Sequence, residues 1–323
     1  MGKIACLFPG QGSQSVGMGR AFFDKHDEAR KMFQTVDKIA GRSLTSLCFE
    51  GPADELKRTI NTQPTIMLAS LVAWQCYKSS GGPEPEYVAG HSLGEISALV
   101  AASSLSLADA VKLVEKRASL MESCPQGAMA AVLKISPLKL SEIVSLVISQ
   151  FKDEGKEEAD SIVVLANYNT REQLVISGSP NAVSRASKMA TENGGRAIPL
   201  PVGGAFHSPL MASAAREFAK VLSSCNLEDA SFEVVQNFDA QGTKMSGTLK
   251  DKLAKQMESP VRWYESIEFM VASGVDTFIE IGPGNVLAGL VKKIDPQVRV
   301  FNVSDPETLD KAIAELNGVH AGR

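Results

Sequence analysis

Apolar and polar positions along this chain fall into two patterns. Short continuous apolar runs suit buried strands, and longer stretches with an apolar residue every three or four positions suit amphipathic helices. Residues 4–8 read as a strand, followed by a glycine loop and a helix over 20–39. A second helix is expected to open at Gln63-Pro64, because the fixed φ and missing N–H of proline suit the first helical position; it carries Ile66, Leu68, Leu71 and Trp74 towards Gly81-Gly82. A short strand over 86–90 and helices over 95–102 and 108–123 complete a β-α rhythm. That rhythm predicts a parallel sheet with helices on both faces.

From about residue 127 to 202 the order becomes strand (128–133), helix (138–149), strand (162–167), strand (173–177), helix (182–192), strand (196–200). This βαββαβ order is the ferredoxin-like split unit. The charged stretch 152–160 reads as a solvated connection. After Pro209 the first rhythm resumes with a helix (210–223), a strand (232–236), helices near 249–257 and over 263–272, a strand (277–281), Gly282-Pro283-Gly284, a last strand (298–302) and a closing helix. A large discontinuous domain of residues 1–127 and 204–323, interrupted by a small one of residues 128–203, is therefore expected.

Composition narrows the function classes. The chain has 323 residues, 44% hydrophobic and 22% charged, the balance of an enzyme-sized globular body. Its 33 Lys and Arg against 37 Asp and Glu leave a formal net charge of −4, so no global positive field exists to hold nucleic acid. The apolar run at the N-terminus is too short for a signal peptide, and no stretch reaches the roughly 18 apolar residues of a membrane span. A soluble cytoplasmic protein without membrane contact is expected. Cys6, Cys48, Cys76, Cys124 and Cys225 stand singly with no CxxC spacing; they read as reduced thiols, and no disulfide framework or metal site is expected.

Gly90-His91-Ser92-Leu93-Gly94 fits G-x-S-x-G between an expected strand and an expected helix, the context a nucleophile elbow requires. Glycines two residues either side remove Cβ atoms that would clash at so sharp a turn, and the Leu93 N–H at the helix N-terminus is placed to stabilise an oxyanion. The alternative is a serine that merely caps the helix. A nucleophilic hydroxyl needs a base. Of the four histidines, His26 lies in a solvated run, His320 in a tail expected to fray, and His91 beside Ser92, where turn geometry points neighbouring side chains apart. His207, in the small-residue loop Gly203-Gly204-Ala205-Phe206-His207-Ser208-Pro209, remains as candidate base. No acid neighbours it in sequence, so a distant carboxylate or a backbone carbonyl are both open as its orienting group.

In the helix over 108–123, Arg117 falls at the edge of the stripe formed by Ala110, Val111, Val114, Ala118 and Met121. Two readings are open: a snorkelling arginine with its head in water, or a fixed bidentate clamp for a substrate carboxylate. The loop Pro9-Gly10-Gln11-Gly12-Ser13-Gln14 lacks the third glycine of a dinucleotide fingerprint and the GK[ST] ending of a P-loop. It leaves the same carboxyl edge of the sheet as the elbow, which makes Gln11 a candidate second oxyanion donor or substrate ligand.

Taken together these residues resemble the malonyl-CoA:acyl carrier protein transacylases, a family similar to the acyltransferase domains of polyketide synthases. The resemblance covers nearly the whole chain. It rests on Phe8-Pro9-Gly10-Gln11-Gly12-Ser13-Gln14, Thr62-Gln63-Pro64, Gly90-His91-Ser92-Leu93-Gly94-Glu95, Arg117 with Met121 one turn later, Gly204-Ala205-Phe206-His207-Ser208, Gln256 ahead of Pro260-Val261-Arg262-Trp263, and Glu280-Ile281-Gly282-Pro283-Gly284. It implies an α/β-hydrolase-like core, mostly parallel in its sheet, with an inserted ferredoxin-like subdomain. Ser92 would carry malonyl as an ester, His207 would be base and acid, Gln11 and Leu93 the oxyanion hole, and Arg117, Gln63, Met121 and Phe206 the substrate-binding residues. A backbone carbonyl of Gln256 would orient the histidine.

The implied reaction moves malonyl from malonyl-CoA to the phosphopantetheine thiol of holo acyl carrier protein by a ping-pong route, with no cofactor and no metal. Phe206 matches members that select malonyl over methylmalonyl, a distinction of one methyl group worth about 1–3 kcal/mol. Gly203 and Ile96 depart from the family pattern, where serine and an aromatic residue are common. A thioesterase or other serine hydrolase, a trans-acting acyltransferase of polyketide assembly, and a noncatalytic carrier-docking module or nucleotide-binding protein are the competing readings; intact Ser92, His207 and Arg117 argue against the last. Because carrier proteins of this pathway are acidic, Arg185, Lys188, Arg196, Lys292 and Lys293 are expected to supply a docking face.

Overall fold

A computed structural model describes residues 2–321, with the side chains of 319–321 outside that description and His320 among them. Ten strands form two sheets: β1 (Lys3–Phe8), β2 (Tyr87–Gly90), β3 (Ala128–Leu133), β4 (Val163–Thr170), β5 (Gln173–Gly178), β6 (Arg196–Pro199), β7 (Glu233–Val235), β8 (Gly242–Thr243), β9 (Val275–Ile281) and β10 (Arg299–Val303). The larger sheet has the order β10-β9-β1-β2-β7-β8, parallel except where β8 turns back on β7. β1 reads as an unbroken apolar run because both its faces are covered. Ile4, Cys6 and Phe8 pack into one hydrophobic layer and Ala5 and Leu7 into the other. The chain leaves β1 for β2 on one side and later returns as β9 on the other, so the carboxyl ends of β1 and β2 form a topological switch point.

The smaller sheet has the order β4-β5-β3-β6 with antiparallel neighbours throughout, the ferredoxin-like arrangement expected from the βαββαβ order. The helices Pro137–Asp153 and Pro180–Glu192 contribute Leu140, Val147, Ala186 and Ala190 to a separate core beneath it. Two main-chain seams join this lobe to the body. Gly127 N–H donates to Gly203 O at 2.9 Å, and Val261 exchanges hydrogen bonds with Ala166 O (2.8 Å) and Tyr168 N (2.9 Å).

Several elements differ from the sequence expectation. The helix expected over 20–39 is two, Arg20–Lys25 and Asp27–Ala40, because His26 is extended and breaks the ladder. Short helices Leu44–Glu50 and Ala53–Lys57 and the helix Val286–Ile294 were not anticipated. The charged stretch 152–160 is partly helical, holding the end of Pro137–Asp153 and the start of Glu158–Ser161. Pro64 does not open its helix but lies inside Thr59–Ser79. A proline there leaves the carbonyl four residues back without its usual donor. That carbonyl, Ile60 O, accepts instead from Arg42 Nη2 at 2.8 Å, and Glu115 and Asn61 hold the Arg42 guanidinium. Long-range chemistry thus replaces the missing helical bond.

The five cysteines are free; four are buried and Cys124 is half-buried. Among the described residues no helix is long and apolar enough to cross a membrane.

Candidate active site

The turn after β2 holds Ser92 at φ 50°, in the left-handed region that a residue with a Cβ enters only under constraint. The flanking glycines are dictated by space. A Cβ on Gly90 would sit 1.9 Å from the carbonyl carbon of Gly94, and one on Gly94 would sit 2.0 Å from Phe8 O. Both obstacles are backbone and cannot swing aside. Gly94→Ala should therefore cost roughly 3 kcal/mol or more of stability, read from the denaturant midpoint; a loss within 0.5 kcal/mol, the range of roughly neutral surface changes, would mean the elbow relaxes.

Ser92 Oγ lies 2.8 Å from His207 Nε2. On the far side of that ring, Nδ1 faces two main-chain carbonyls, Gln256 O at 3.0 Å and Ser259 O at 3.1 Å. With Nδ1 donating to these oxygens, Nε2 is left as the acceptor for the serine proton. Two main-chain carbonyls thus stand where a triad would place a carboxylate. His207 itself has φ 58°, and its N–H donates to Met257 O at 3.1 Å. Burial first, and then the positive charge of Arg117, push its pKa down to about 3, so the ring is a neutral base at physiological pH.

Arg117 does not snorkel; it is 1% exposed on the helix Leu107–Glu122. Nη1 donates to Gln63 Oε1 at 2.8 Å, while Nη2 donates to Ser92 Oγ at 3.0 Å and to Gln256 Oε1 at 3.0 Å. Its Nε has no partner among the described residues. Burial lowers its pKa to about 10 and the buried carboxylate of Glu95 opposes that shift, so the guanidinium stays charged at neutral pH. Gln63 Nε2 reaches Met121 Sδ at 3.1 Å, tying Gln63, Met121 and Arg117 into one wall.

These groups open into one cavity of about 180 Å3. The body lines it with Gln11, Gln63, His91, Ser92, Leu93, Arg117, Met121, Phe206 and His207, and the lobe with Met129, Asn167, Asn169, Val175, Leu200 and Val202. Gln11 is placed at the cavity; one N–H of its side-chain amide donates to Thr59 Oγ1 at 3.3 Å, and its main-chain N–H is free as well. Among the described residues neither that N–H nor the one of Leu93 meets a protein acceptor. His91 is held away from Ser92 Oγ, with Nε2 2.8 Å from Asn169 Oδ1 and its ring against Trp263.

The sequence reading missed Glu95, Asn237, Ser259 and the two lobe asparagines. The only signal for Asn237 was the polar pair Gln236-Asn237 closing an apolar strand. The cations expected to form a docking face are largely engaged: Arg185 pairs with Glu154, Lys188 faces Glu192, Lys292 donates to Val298 O and Lys293 to Gln173. Among the described residues, His26, Glu28 and Cys76 gather within 4.8 Å of one another. Burial raises the Cys76 thiol to about 12, which keeps it protonated.

Known proteins resemble this chain over nearly its whole length. The family model described as acyl transferase domain matches residues 6–307. The malonyl CoA-acyl carrier protein transacylase of Bacillus subtilis strain 168 is 46% identical over 98% of this chain and 98% of its own. The protein of that name from Escherichia coli K12 is 36% identical over 97% of this chain and 99% of its own. The solved transacylase of Coxiella burnetii superposes with a TM-score of 0.91 at 34% identity, covering 98% of each chain. A malonyl-transacylase solved in complex with a type II polyketide synthase acyl carrier protein superposes with a TM-score of 0.90 at 34% identity, covering 97% of this chain and 99% of its own. A match that runs from the first strand to the last helix, around a serine, a histidine and a buried arginine in one cavity, places this chain in the acyl transferase family, among the malonyl CoA-acyl carrier protein transacylases.

Proposed function

We propose that this enzyme transfers a malonyl group from malonyl-CoA to the phosphopantetheine thiol of acyl carrier protein through a malonyl ester on Ser92, supplying extender units for fatty acid synthesis. One observation carries the reading: a single serine oxygen lies within hydrogen-bond distance of both a neutral imidazole and a fully buried guanidinium. The two carboxyl carbons of a malonyl group stand about 2.5 Å apart on standard bond lengths. A malonyl ester on Ser92 therefore carries its free carboxylate into reach of the Arg117 that already touches Oγ.

In the first half-reaction the Ser92 proton passes to His207 Nε2 as Oγ attacks the thioester carbon. The oxyanion is met by the Leu93 and Gln11 main-chain N–H groups, and the leaving CoA sulfur takes the proton from the imidazolium. In the second half-reaction the carrier thiol gives its proton to His207 and attacks the ester; the tetrahedral intermediate collapses and returns Ser92 Oγ–H. Arg117 pairs with the malonyl carboxylate throughout, Gln63 and Met121 hold it, and Phe206 occupies the space beside the acyl α-carbon. No step calls on a cofactor, CoA being part of the substrate. The residues 128–203 form a second domain whose side chains close the cavity over the body of residues 1–127 and 204–323. Soluble, cytoplasmic operation follows from these substrates.

Intact-protein mass spectrometry after mixing with malonyl-CoA tests the reading. One malonyl adduct is expected, on the peptide carrying residues 90–95, discharged on adding holo carrier protein and absent from Ser92→Ala. Rapid loss of malonyl-CoA without carrier would indicate a hydrolase instead.

A further inference from the structure

The strained turn at Ser92 has a partner that no catalytic step uses. Asn237 is fully buried just past the end of β7, where the β2–β7 ladder ends at Ala89↔Val235. Its side chain takes over from the ladder: Oδ1 accepts the Ser92 N–H at 2.7 Å and Nδ2 donates to Gly90 O at 2.7 Å. One planar amide thus grips both sides of the turn, and its two contacts need opposite polarity, an acceptor and a donor. The main chain of Asn237 is fixed in turn. Its N–H donates to Glu95 Oε2 at 2.7 Å and its carbonyl accepts from Arg262 N at 3.1 Å. Glu95 stands on the helix that follows the elbow, and its other oxygen accepts from Gln236 Nε2 at 3.1 Å. The loop is closed: strand end, turn, helix start, carboxylate, asparagine and back to the turn.

We infer that Asn237 is a positioning residue for the nucleophile, holding Ser92 in its left-handed conformation so that Oγ stays on the His207 line and the Leu93 N–H stays free for the oxyanion. The Ser92 N–H is spent on Asn237, so it takes no part in the oxyanion hole. A misplacement near 1 Å at a reacting atom costs about 100-fold in rate, and the strain of a left-handed non-glycine residue relaxes if its grip is lost. The inference rests on Ser92 being the nucleophile.

The test is rapid-quench acylation by malonyl-CoA of the wild type, Asn237→Ala and Asn237→Asp. In Asn237→Ala the acylation kcat should fall about 100-fold while KM for malonyl-CoA changes less than about threefold; a kcat within about threefold of wild type would overturn the inference. Asn237→Asp supplies a readout that mere loss of packing cannot mimic. Ionised, the introduced carboxyl presents an oxygen to Gly90 O where a donor is needed; protonated, it has the shape and polarity of the amide. Burial and the neighbouring Glu95 carboxylate raise its pKa; Arg117, which acts on Glu95, opposes that rise, and the Arg262 side chain is occupied by Glu265. Its activity should therefore approach wild type in acid and drop as pH rises through that pKa, a limb the wild type lacks. A profile parallel to wild type overturns the inference, and this variant decides if Asn237→Ala fails to fold. Absence of a Ser92 adduct in the wild type would fail the underlying function and not this positioning role alone.

Discussion

Arg117→Ala is expected to lower kcat/KM for malonyl-CoA about 1,000-fold and to raise the acceptance of acetyl-CoA relative to malonyl-CoA. A bidentate guanidinium–carboxylate pair comprises two charge-assisted hydrogen bonds, each worth about 1.5–3 kcal/mol, and about 1.4 kcal/mol is tenfold in rate. The discrimination arises in the wild type because acetyl brings no carboxylate to pair with the guanidinium across the cavity. A second effect points the same way. Arg117 depresses the basicity of His207, and a bound malonyl carboxylate offsets that positive charge, so the correct substrate strengthens its own general base. Acetyl brings no such charge. Removing Arg117 also takes away the cation facing buried Glu95, so the variant should lose stability as well. Arg117→Lys restores the charge but not the fork and should recover little. Competition between malonyl-CoA and acetyl-CoA, read by adduct mass on Ser92, gives the ratio; an unchanged ratio would remove Arg117 from selectivity.

His207→Ala should slow Ser92 acylation by about 10,000-fold, the upper end for loss of a general base whose proton has nowhere else to go. In the wild type the same residue sets an unusual pH dependence. An unperturbed imidazole titrates near 6.5 and would switch the enzyme off in mild acid. Buried beside Arg117 with a pKa of about 3, His207 stays neutral there, so single-turnover acylation should be flat from pH 8 down to about pH 5. An acid limb centred near 6.5 in the free enzyme would contradict the neutral, carbonyl-held ring. For stability the sign is the same as that of a paired carboxylate, whose folded pKa is also depressed. The unfolded chain binds a proton at His207 below about 6.5 and the folded one does not until about 3, so stability falls as pH drops through that window.

Much of this was legible in the residues because its causes are local. β3 and the helix Trp263–Ala272 match their expected bounds since each is a clean run with its own turn signals. The elbow is legible because its G-x-S-x-G spacing between a strand and a helix is a local pattern, although the space that Gly94 must leave is set by Phe8 O on a neighbouring strand. The helix Val286–Ile294 was missed for the opposite reason. Its first N–H groups are satisfied by the side chain of Glu280 across the turn, with Leu287 N at 3.1 Å and Ala288 N at 2.7 Å, while the side chain of Asn285 at its start makes no capping hydrogen bond. Burial raises Glu280 to about 7, a cost no sequence pattern shows. Pro64 misled because its structural meaning depends on Arg42, twenty-two positions away.

By itself the sequence determined the alternation of strand and helix, the split βαββαβ insert, the serine turn and the single plausible histidine, all of which follow from periodicity, glycine sterics and elimination. Only the tertiary structure shows Arg117 buried against Ser92 Oγ, Ser259 O standing beside Gln256 O at His207 Nδ1, a Gln11 side-chain N–H on Thr59, and Asn237 gripping the turn. Those contacts join residues 25 to 147 positions apart, which no helix or strand period could bring together. Burial, charge and hydrogen-bond partnership at such separations are properties of the packed body, and they turn a reactive-looking serine into a selective one.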